Sequence, residues 1–169
     1  MYPITDRPRQ HRGGPPSLPR RRPPDGIVLA GAHGGAGTST LAVLLAPAWD
    51  TGVISGPVAG GLRPGGRPVV LAARNTVAAA GRAVTATGAV TRAGAWVAVL
   101  VVVSDGLPEP AEARYRFRVL DGRVGAVVRV PFVPAFRPAA DPRSVALPRR
   151  VRRALAEIRA LALEQISHL

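Results

Sequence analysis

The sequence predicts an α/β three-layer sandwich with a mostly parallel sheet, and three observations lead to that fold class. Short apolar runs alternate with helix-like segments, as they do when helices cover both faces of a parallel sheet. The strongest run, AWVAVLVVV over 95–103, is apolar throughout, as expected for a central strand. Aromatic residues make up only 4% of the chain, so we expect a core of small aliphatic side chains in close contact.

The first part of the chain predicts one strand, one helix and a long loop. Residues 27–30 are expected to form the first strand, and residues 38–46 a helix that ends at Pro47. Residues 47–68 are rich in glycine and proline, so an irregular loop is expected there, with at most a short strand at 52–55.

The second part predicts the remaining strands and helices. A strand over 68–73 is followed by Asn75 or Thr76, either of which can cap a helix running to about residue 92. Pro110 suits the first turn of the next helix, which is expected to close at 121–122. The remaining expectations are a strand over 125–130, an irregular loop over 131–138, and a last helix from Pro148 with an apolar stripe at Val151, Leu155, Ile158, Ala162 and Leu169.

Length and composition predict one folded domain over 27–169 and a disordered, arginine- and proline-rich arm over 1–26. Residues 1–25 hold six arginines and two aspartates, a local net charge of +4, and little apolar surface to offset the entropy of ordering. The chain has no cysteine, which excludes a disulfide scaffold and fits a cytoplasmic protein. Its longest apolar run, 93–103, is about half of a membrane span, so no span is expected.

The formal net charge of +13 comes from 23 basic residues, all of them arginine. One interpretation is that basic segments bind nucleic acid or an acidic protein. The other is that G+C-rich codon usage has placed arginines on a solvated surface. The segments concerned are the arm and the first turn of the last helix, where the helix dipole disfavours positive charge: Arg149, Arg150, Arg152 and Arg153.

A glycine cluster, GAHGGAGTST over 31–40, separates the first predicted strand from the first helix. This arrangement directs backbone N–H groups toward one point and can hold an anion. The alternative is that the glycines only permit a tight turn. Arg74, at the carboxyl end of its strand, is expected to reach the same crevice. Asp105, after the strongest strand, is a candidate for binding Mg²⁺ or positioning water, or else for capping a turn.

Residues 32–40, AHGGAGTST, resemble the deviant Walker A loop of the MinD/ParA-type P-loop ATPases, whose consensus is G-K-G-G-x-G-K-T-T. Gly34, Gly35 and Gly37 match the consensus glycines. Ser39 occupies the position of the Mg²⁺-ligating hydroxyl, and Thr40 matches the next threonine. The resemblance implies a P-loop NTPase-like fold that binds ATP or GTP with Mg²⁺.

Three positions depart from that consensus. Ala32 replaces a glycine, His33 replaces the signature lysine, and Thr38 replaces the Walker lysine. Because these lysines neutralise phosphate charge, their loss implies little or no hydrolysis. A protonated His33 could supply one of the missing charges. The resemblance implies that the loop residues 33–40 bind the nucleotide and that Ser39 also binds the metal, and the positions of Arg74 and Asp105 after their strands add these two. The predicted nucleotide-binding residues are therefore His33, Gly34, Gly35, Ala36, Gly37, Thr38, Ser39, Thr40, Arg74 and Asp105.

The GAHGGAGTST loop also resembles that of a small actinobacterial family associated with plasmids or integrated mobile elements. This likeness implies an association with such elements and not an activity. The function hypothesis that we draw is an accessory role in DNA handling with a protein partner. A non-catalytic scaffold that binds nucleic acid or an acidic protein through the arm and the 149–153 patch is the alternative function.

A second resemblance uses the same glycines. Gly31, Gly35 and Gly37 have the spacing of the short-chain dehydrogenases, but the Tyr-x-x-x-Lys pair of that family has no counterpart in a chain without lysine. Trp49 and Trp96 are expected to be packing residues and not residues that stack on a nucleotide.

Overall fold

The computed structural model describes residues 26–54, 56 and 62–164. The predicted disorder of the arm, and Leu169 of the predicted stripe, therefore lie outside the described residues, apart from Gly26. The strands are β1 (Ile27–Gly31), β2 (Ala48–Val53), β3 (Val69–Arg74), β4 (Val97–Val103) and β5 (Val127–Val130). The α-helices are α1 (Thr38–Leu44), α2 (Val77–Arg92), α3 (Ala111–Asp121) and α4 (Arg149–Glu164), and short 3₁₀ turns occur at Pro134–Phe136 and Pro142–Ser144.

The five strands form one sheet in the order β2-β1-β3-β4-β5, and every neighbouring pair is parallel. Helices α1 and α4 pack on one face, and α2 and α3 pack on the other. The predicted α/β class and mostly parallel sheet are confirmed, in a three-layer arrangement. The strand order reverses between β1 and β3, and such a switch point opens a crevice beyond the carboxyl ends of the strands.

The core is made of small aliphatic side chains, as the composition predicts. Strand β4 is buried along almost its whole length, and one face of α2 buries five alanines. Phe117 of α3 is the one large aromatic side chain with no exposed surface in the described part of the chain. Small side chains on α2 let the two helices approach closely: a Cβ on Gly81 would lie 2.8 Å from Nη1 of Arg116 on α3.

The prediction for residues 47–68 was wrong at its start, because β2 occupies 48–53. This strand lies at the edge of the sheet, and Trp49 pairs with Val28 of β1. Its side chains are mostly exposed, so it lacks the apolar run that marks a buried strand. Backbone pairing with β1, and not side-chain burial, accounts for its conformation.

The expectation that both tryptophans are core or packing residues is corrected for the core. Trp49 is 44% exposed and Trp96 is 46% exposed, so neither belongs to the core. Within the described residues, no helix combines the length and the apolar character that crossing a bilayer requires.

Candidate functional site

The glycine loop joins the carboxyl end of β1 to α1, beside the point where the strand order reverses. Gly35 and Gly37 have φ angles of +77° and +87°, in the left-handed region that only glycine adopts without strain. A Cβ on Gly34 or Gly35 would meet no atom within 4 Å, so the outer side of the loop is open. The glycines therefore permit the tight turn, and they also leave the backbone of the loop open to an approaching group.

His33 and Arg74 tie this loop to the end of β3. The backbone N–H of Arg74 donates to Nε2 of His33 at 3.1 Å, and Nδ1 of His33 lies 2.8 Å from the carbonyl oxygen of Gly34. The ring must therefore carry its proton on Nδ1 and keep Nε2 as an acceptor. In this arrangement the imidazole is neutral, so it does not supply the charge of the missing lysine.

The Arg74 side chain reaches the loop directly. Its Nε donates to the carbonyl oxygen of Gly35 at 2.9 Å, and the residue is only partly exposed. Within the described residues, Nη1 and Nη2 of Arg74 form no hydrogen bond or ion pair. The structure thus brings Arg74 to the crevice, where these groups remain as donors for an anion.

The remaining loop residues divide into buried and exposed ones. Ala36 and Thr38 are buried, at 1% and 8% exposure, and a Cβ on Gly31 would lie 2.7 Å from Oγ1 of Thr38. Thr38 therefore packs against the end of β1. Ser39 is exposed and Thr40 is half-buried, so their hydroxyls lie nearer to solvent.

Asp50 lies beside the glycine loop, and the sequence analysis did not identify it as a site residue. Ser39 donates from Oγ to Oδ2 of Asp50 at 2.8 Å, and Oδ1 of Asp50 accepts from the Gly52 N–H at 2.8 Å. Asp50 lies on β2, which pairs with β1, so a carboxylate is held beside the Ser39 hydroxyl. Only the tertiary pairing reveals this contact, because the sequence predicts at most a short strand at 52–55 and no strand at the position of Asp50.

Asp105 occupies a turn and has no hydrogen bond to the glycine loop in the described structure. Its Oδ1 accepts from the Leu107 N–H at 2.9 Å, which is the geometry of an Asx turn. The buried Asn75 holds this turn, because its Oδ1 accepts from the Asp105 N–H and its Nδ2 donates to the carbonyl oxygen of Leu107. Of the two expected roles, the geometry favours the structural one.

A cavity of about 330 Å³ adjoins the loop on the side of α2. Ala32, His33 and Gly34 form one wall, and Arg82 and Thr85 of α2 form another. The end of β2 contributes apolar side chains to the lining. The loop is thus flanked by a partly apolar space as well as by the switch-point crevice.

The basic patch at the start of α4 is solvent-exposed. Val151, Leu155 and Ile158 bury the opposite side of the helix, so the four arginines of the first turn face outward. Within the described part of the chain none of these four forms an ion pair. Because helices of a parallel α/β sheet begin where strands end, this patch lies at the same edge of the sheet as the glycine loop.

Other arginines are neutralised by carboxylates. Arg129 on β5 donates from Nε to Glu109 at 2.9 Å and from Nη2 at 3.1 Å. This bidentate contact raises the pKa of Arg129 above its ordinary value. The side chain of Arg143 likewise lowers the pKa of Asp141 by hydrogen bonding to its carboxylate.

No group of three or more histidine, cysteine, aspartate or glutamate residues converges as a metal site in the described ranges. Ser39 and Asp50 lie together and provide a hydroxyl and a carboxylate oxygen as potential metal ligands. Mg²⁺ is commonly held by one or two carboxylates together with the phosphates of its substrate, so this donor set fits Mg²⁺ bound with a nucleotide.

No protein-family model, no curated protein and no solved structure matches the chain. A functional assignment therefore depends on the geometry of the glycine loop and its neighbours.

Proposed function

We propose that the chain is a nucleotide-binding accessory protein of the MinD/ParA type with little or no hydrolytic activity. It would bind ATP or GTP with Mg²⁺ at the glycine loop and act with a protein partner in plasmid or mobile-element DNA handling. One observation carries the proposal: a loop with two left-handed glycines lies at the switch point, and the Arg74 guanidinium is hydrogen-bonded to it.

Phosphate binding would use backbone N–H groups together with Arg74. The loop is open at Gly34 and Gly35, so a phosphate oxygen can approach the main chain closely. The Arg74 side chain contacts the loop only through Nε, and its two terminal nitrogens would bind phosphate oxygens. In this role Arg74 partly replaces the lysines that the consensus loop would supply.

Mg²⁺ would be held by Ser39 and Asp50, completed by phosphate oxygens and water. Bound there, the ion would neutralise phosphate charge. Before it arrives, Asp50 keeps the Ser39 hydroxyl oriented through their hydrogen bond. Exposure of both side chains is consistent with a site that is completed only by its ligand.

Weak or absent hydrolysis follows from the same residues. Both consensus lysines are missing, Thr38 is buried against β1, and His33 is neutral in its hydrogen-bonded arrangement. Positive charge at the transferring phosphoryl group is a main source of catalysis in such enzymes. The site is therefore suited to binding a nucleotide more than to cleaving it.

Thermal unfolding of the full chain with ATP, GTP or NAD, each with and without Mg²⁺, tests the proposal. A ligand at 100 times its Kd stabilises by about 2.7 kcal/mol, which raises Tm by roughly 5–10 °C for a domain of this size. We expect a Mg²⁺-dependent rise with ATP or GTP that Arg74→Gln abolishes. Arg150→Gln, an exposed arginine at the same edge, is the matched control. The absence of a shift with any nucleotide, or a shift with NAD alone, would overturn the proposal.

A further inference from the structure

Strand β5 is the last strand of the sheet, and no described strand pairs with its outer edge. The carbonyl oxygen of Val130 accepts from the Ser104 N–H that follows β4, so the main-chain groups of Val130 face inward. Because these groups alternate along a strand, the N–H and C=O groups of Val127 and Arg129 face away from the sheet. An open edge of this kind can pair with an extended segment of another chain.

A groove of about 350 Å³ runs between this edge and helix α3, and we call it the α3–β5 groove. Its lining includes Arg114, Arg118 and Asp121 of α3 together with Val127 and Arg129 of β5. Val127 packs against the core on the α3 side of the sheet, and Arg129 shares its face because side chains alternate along a strand. A chain paired with β5 would therefore place every second side chain in the groove.

The groove carries arginines that no carboxylate neutralises. The exposed side chain of Arg118 forms no hydrogen bond or ion pair with the described residues. Arg114 donates from Nη2 to the backbone carbonyl oxygen of Glu109, which leaves its charge without a counterion. Arg129 pairs with the Glu109 carboxylate. Asp121, seven residues beyond Arg114 on α3, is roughly 10 Å further along the helix. The part of the groove beside Arg114 and Arg118 is therefore positively charged.

These charges disfavour a second copy of this chain as the occupant. A symmetric pairing of two β5 edges would place the α3 arginines of both copies on the same face of the joined sheet. Like charges that face each other across paired strands are destabilising. A nucleic acid would meet the charge, but it cannot pair with the open N–H and C=O groups as a strand does. An acidic polypeptide satisfies both features.

We propose that the α3–β5 groove binds an extended acidic segment of a partner protein as a sixth strand of the sheet. Main-chain hydrogen bonds to Val127 and Arg129 would provide affinity, and charge-assisted hydrogen bonds from Arg114 and Arg118 would provide selectivity. The recognised pattern has glutamate or aspartate at every second position, because only every second side chain enters the groove.

The inference rests on the proposed function only in expecting a protein partner, and it does not require a bound nucleotide. Strands β3 and β4 separate β5 from β1, after which the glycine loop follows. Three strand spacings are roughly 14 Å, so a peptide on β5 leaves the glycine loop accessible. Failure of nucleotide binding in the thermal-unfolding test would leave peptide binding intact, and the reverse also holds.

Fluorescence anisotropy of a labelled hexapeptide of alternating valine and glutamate, titrated with the full chain in the absence of nucleotide, provides the test. We expect Arg118→Glu to weaken binding about ten-fold or more, because the reversed charge repels the glutamates. Arg82→Glu makes the same charge change at an exposed residue of α2 and is the matched control. It should change the affinity by about two-fold or less, since salt screens distant charges. A hexapeptide of alternating valine and lysine should bind Arg118→Glu more tightly than the wild type.

N-methylation of the hexapeptide tests strand pairing without any change to the protein. Methyl groups on all glutamate nitrogens, or on all valine nitrogens, block opposite sides of an extended backbone. We expect only one of these two peptides to lose affinity, about ten-fold or more, because only one set of N–H groups faces β5. Binding of the unmodified peptide should also slow amide hydrogen exchange at Val127 and Arg129, whereas the Val128 N–H, which faces β4, is protected before binding.

Several outcomes would overturn the proposal. One is the absence of binding at about 1 mM peptide, which corresponds to a very weak interaction. Equal losses with both N-methylated peptides, or unchanged exchange at Val127 and Arg129, would exclude strand addition. Equal losses in Arg118→Glu and Arg82→Glu would show a general attraction of acidic peptides to a basic chain. Circular dichroism verifies that both variants fold, and the exposure of both side chains makes their replacement compatible with folding.

Discussion

Arg74 donates its backbone N–H to Nε2 of His33 at 3.1 Å, and the same residue donates from its side chain to the loop through Gly35. One residue at the end of β3 thereby fixes two points of the loop that follows β1. These strands are neighbours at the switch point of the sheet. Both contacts hold the loop in a defined position beside the end of β3.

A comparison of Gly35→Ala with Gly34→Ala separates the cost of a left-handed backbone conformation from the cost of a steric clash. Neither added Cβ would touch a neighbour, but only Gly35 has a left-handed φ. We expect Gly35→Ala to lower the free energy of unfolding by ~1–2 kcal/mol. Gly34→Ala should be neutral or slightly stabilising, since alanine reduces the entropy of the unfolded chain. Urea unfolding measures both, and equal losses would contradict the assigned conformations.

Asp50→Asn and Asp105→Asn distinguish the two carboxylates considered for Mg²⁺. Asp50 contacts Ser39, whereas Asp105 lies in an Asx turn that asparagine can also form. We expect Asp50→Asn to remove the Mg²⁺-dependent part of nucleotide affinity, about ten-fold or more, and Asp105→Asn to leave it unchanged. Calorimetric titration with ATP at two Mg²⁺ concentrations makes the comparison. The reverse pattern would move the metal site to the end of β4.

Asn75→Ala should destabilise the fold by about 2 kcal/mol, because it removes two part-buried hydrogen bonds that the buried Asn75 side chain makes to the backbone of the β4–α3 turn. Ser104→Ala, which removes one weaker contact in the same turn, is the control and should cost less than about 1 kcal/mol. Guanidinium unfolding monitored by circular dichroism gives both values. A loss no larger than that of the control would mean that Asn75 does not hold the turn.

Arg143→Gln should raise the pKa of Asp141, since hydrogen bonds from Arg143 hold that pKa below its ordinary value. A depressed pKa in the folded state contributes stability that is present above the unfolded pKa and is lost as pH falls through the folded value. The variant should therefore lack the side-chain part of this contribution at neutral and mildly acid pH, and its deficit relative to the wild type should disappear only as the pH falls below the ordinary aspartate pKa. An NMR titration of the Asp141 carboxyl measures the shift. Arg159→Gln, whose side chain contacts Ala46, should leave it unchanged.

Periodicity identified the elements that are buried. Strands β1, β3 and β4 lie in apolar runs, and α2 and α4 carry apolar faces, so burial and sequence pattern agree. Strand β2 was missed because an edge strand can expose its side chains and still pair through its backbone. The exposure of Trp49 follows from the same position at the edge.

Some features of the candidate site could be predicted from the sequence, and others could not. The glycines of the loop and the nearness of Arg74 could be predicted, because a glycine-rich turn after a strand and the carboxyl ends of parallel strands follow general rules. The contact between Ser39 and Asp50 could not be predicted, since it depends on β2 pairing beside β1. The tautomer of His33 likewise depends on an N–H that comes from another strand.

The sequence by itself determined the alternation of strands and helices, the small-residue core and the place of the glycine loop, because these depend on local patterns of apolar residues and glycine. The tertiary structure alone decided the strand order and the exposure of both tryptophans. It also decided the hydrogen bonds between Ser39 and Asp50 and between His33 and Arg74. These features depend on which backbone edges pair across long stretches of chain, and pairing partners leave no periodic signal in the sequence.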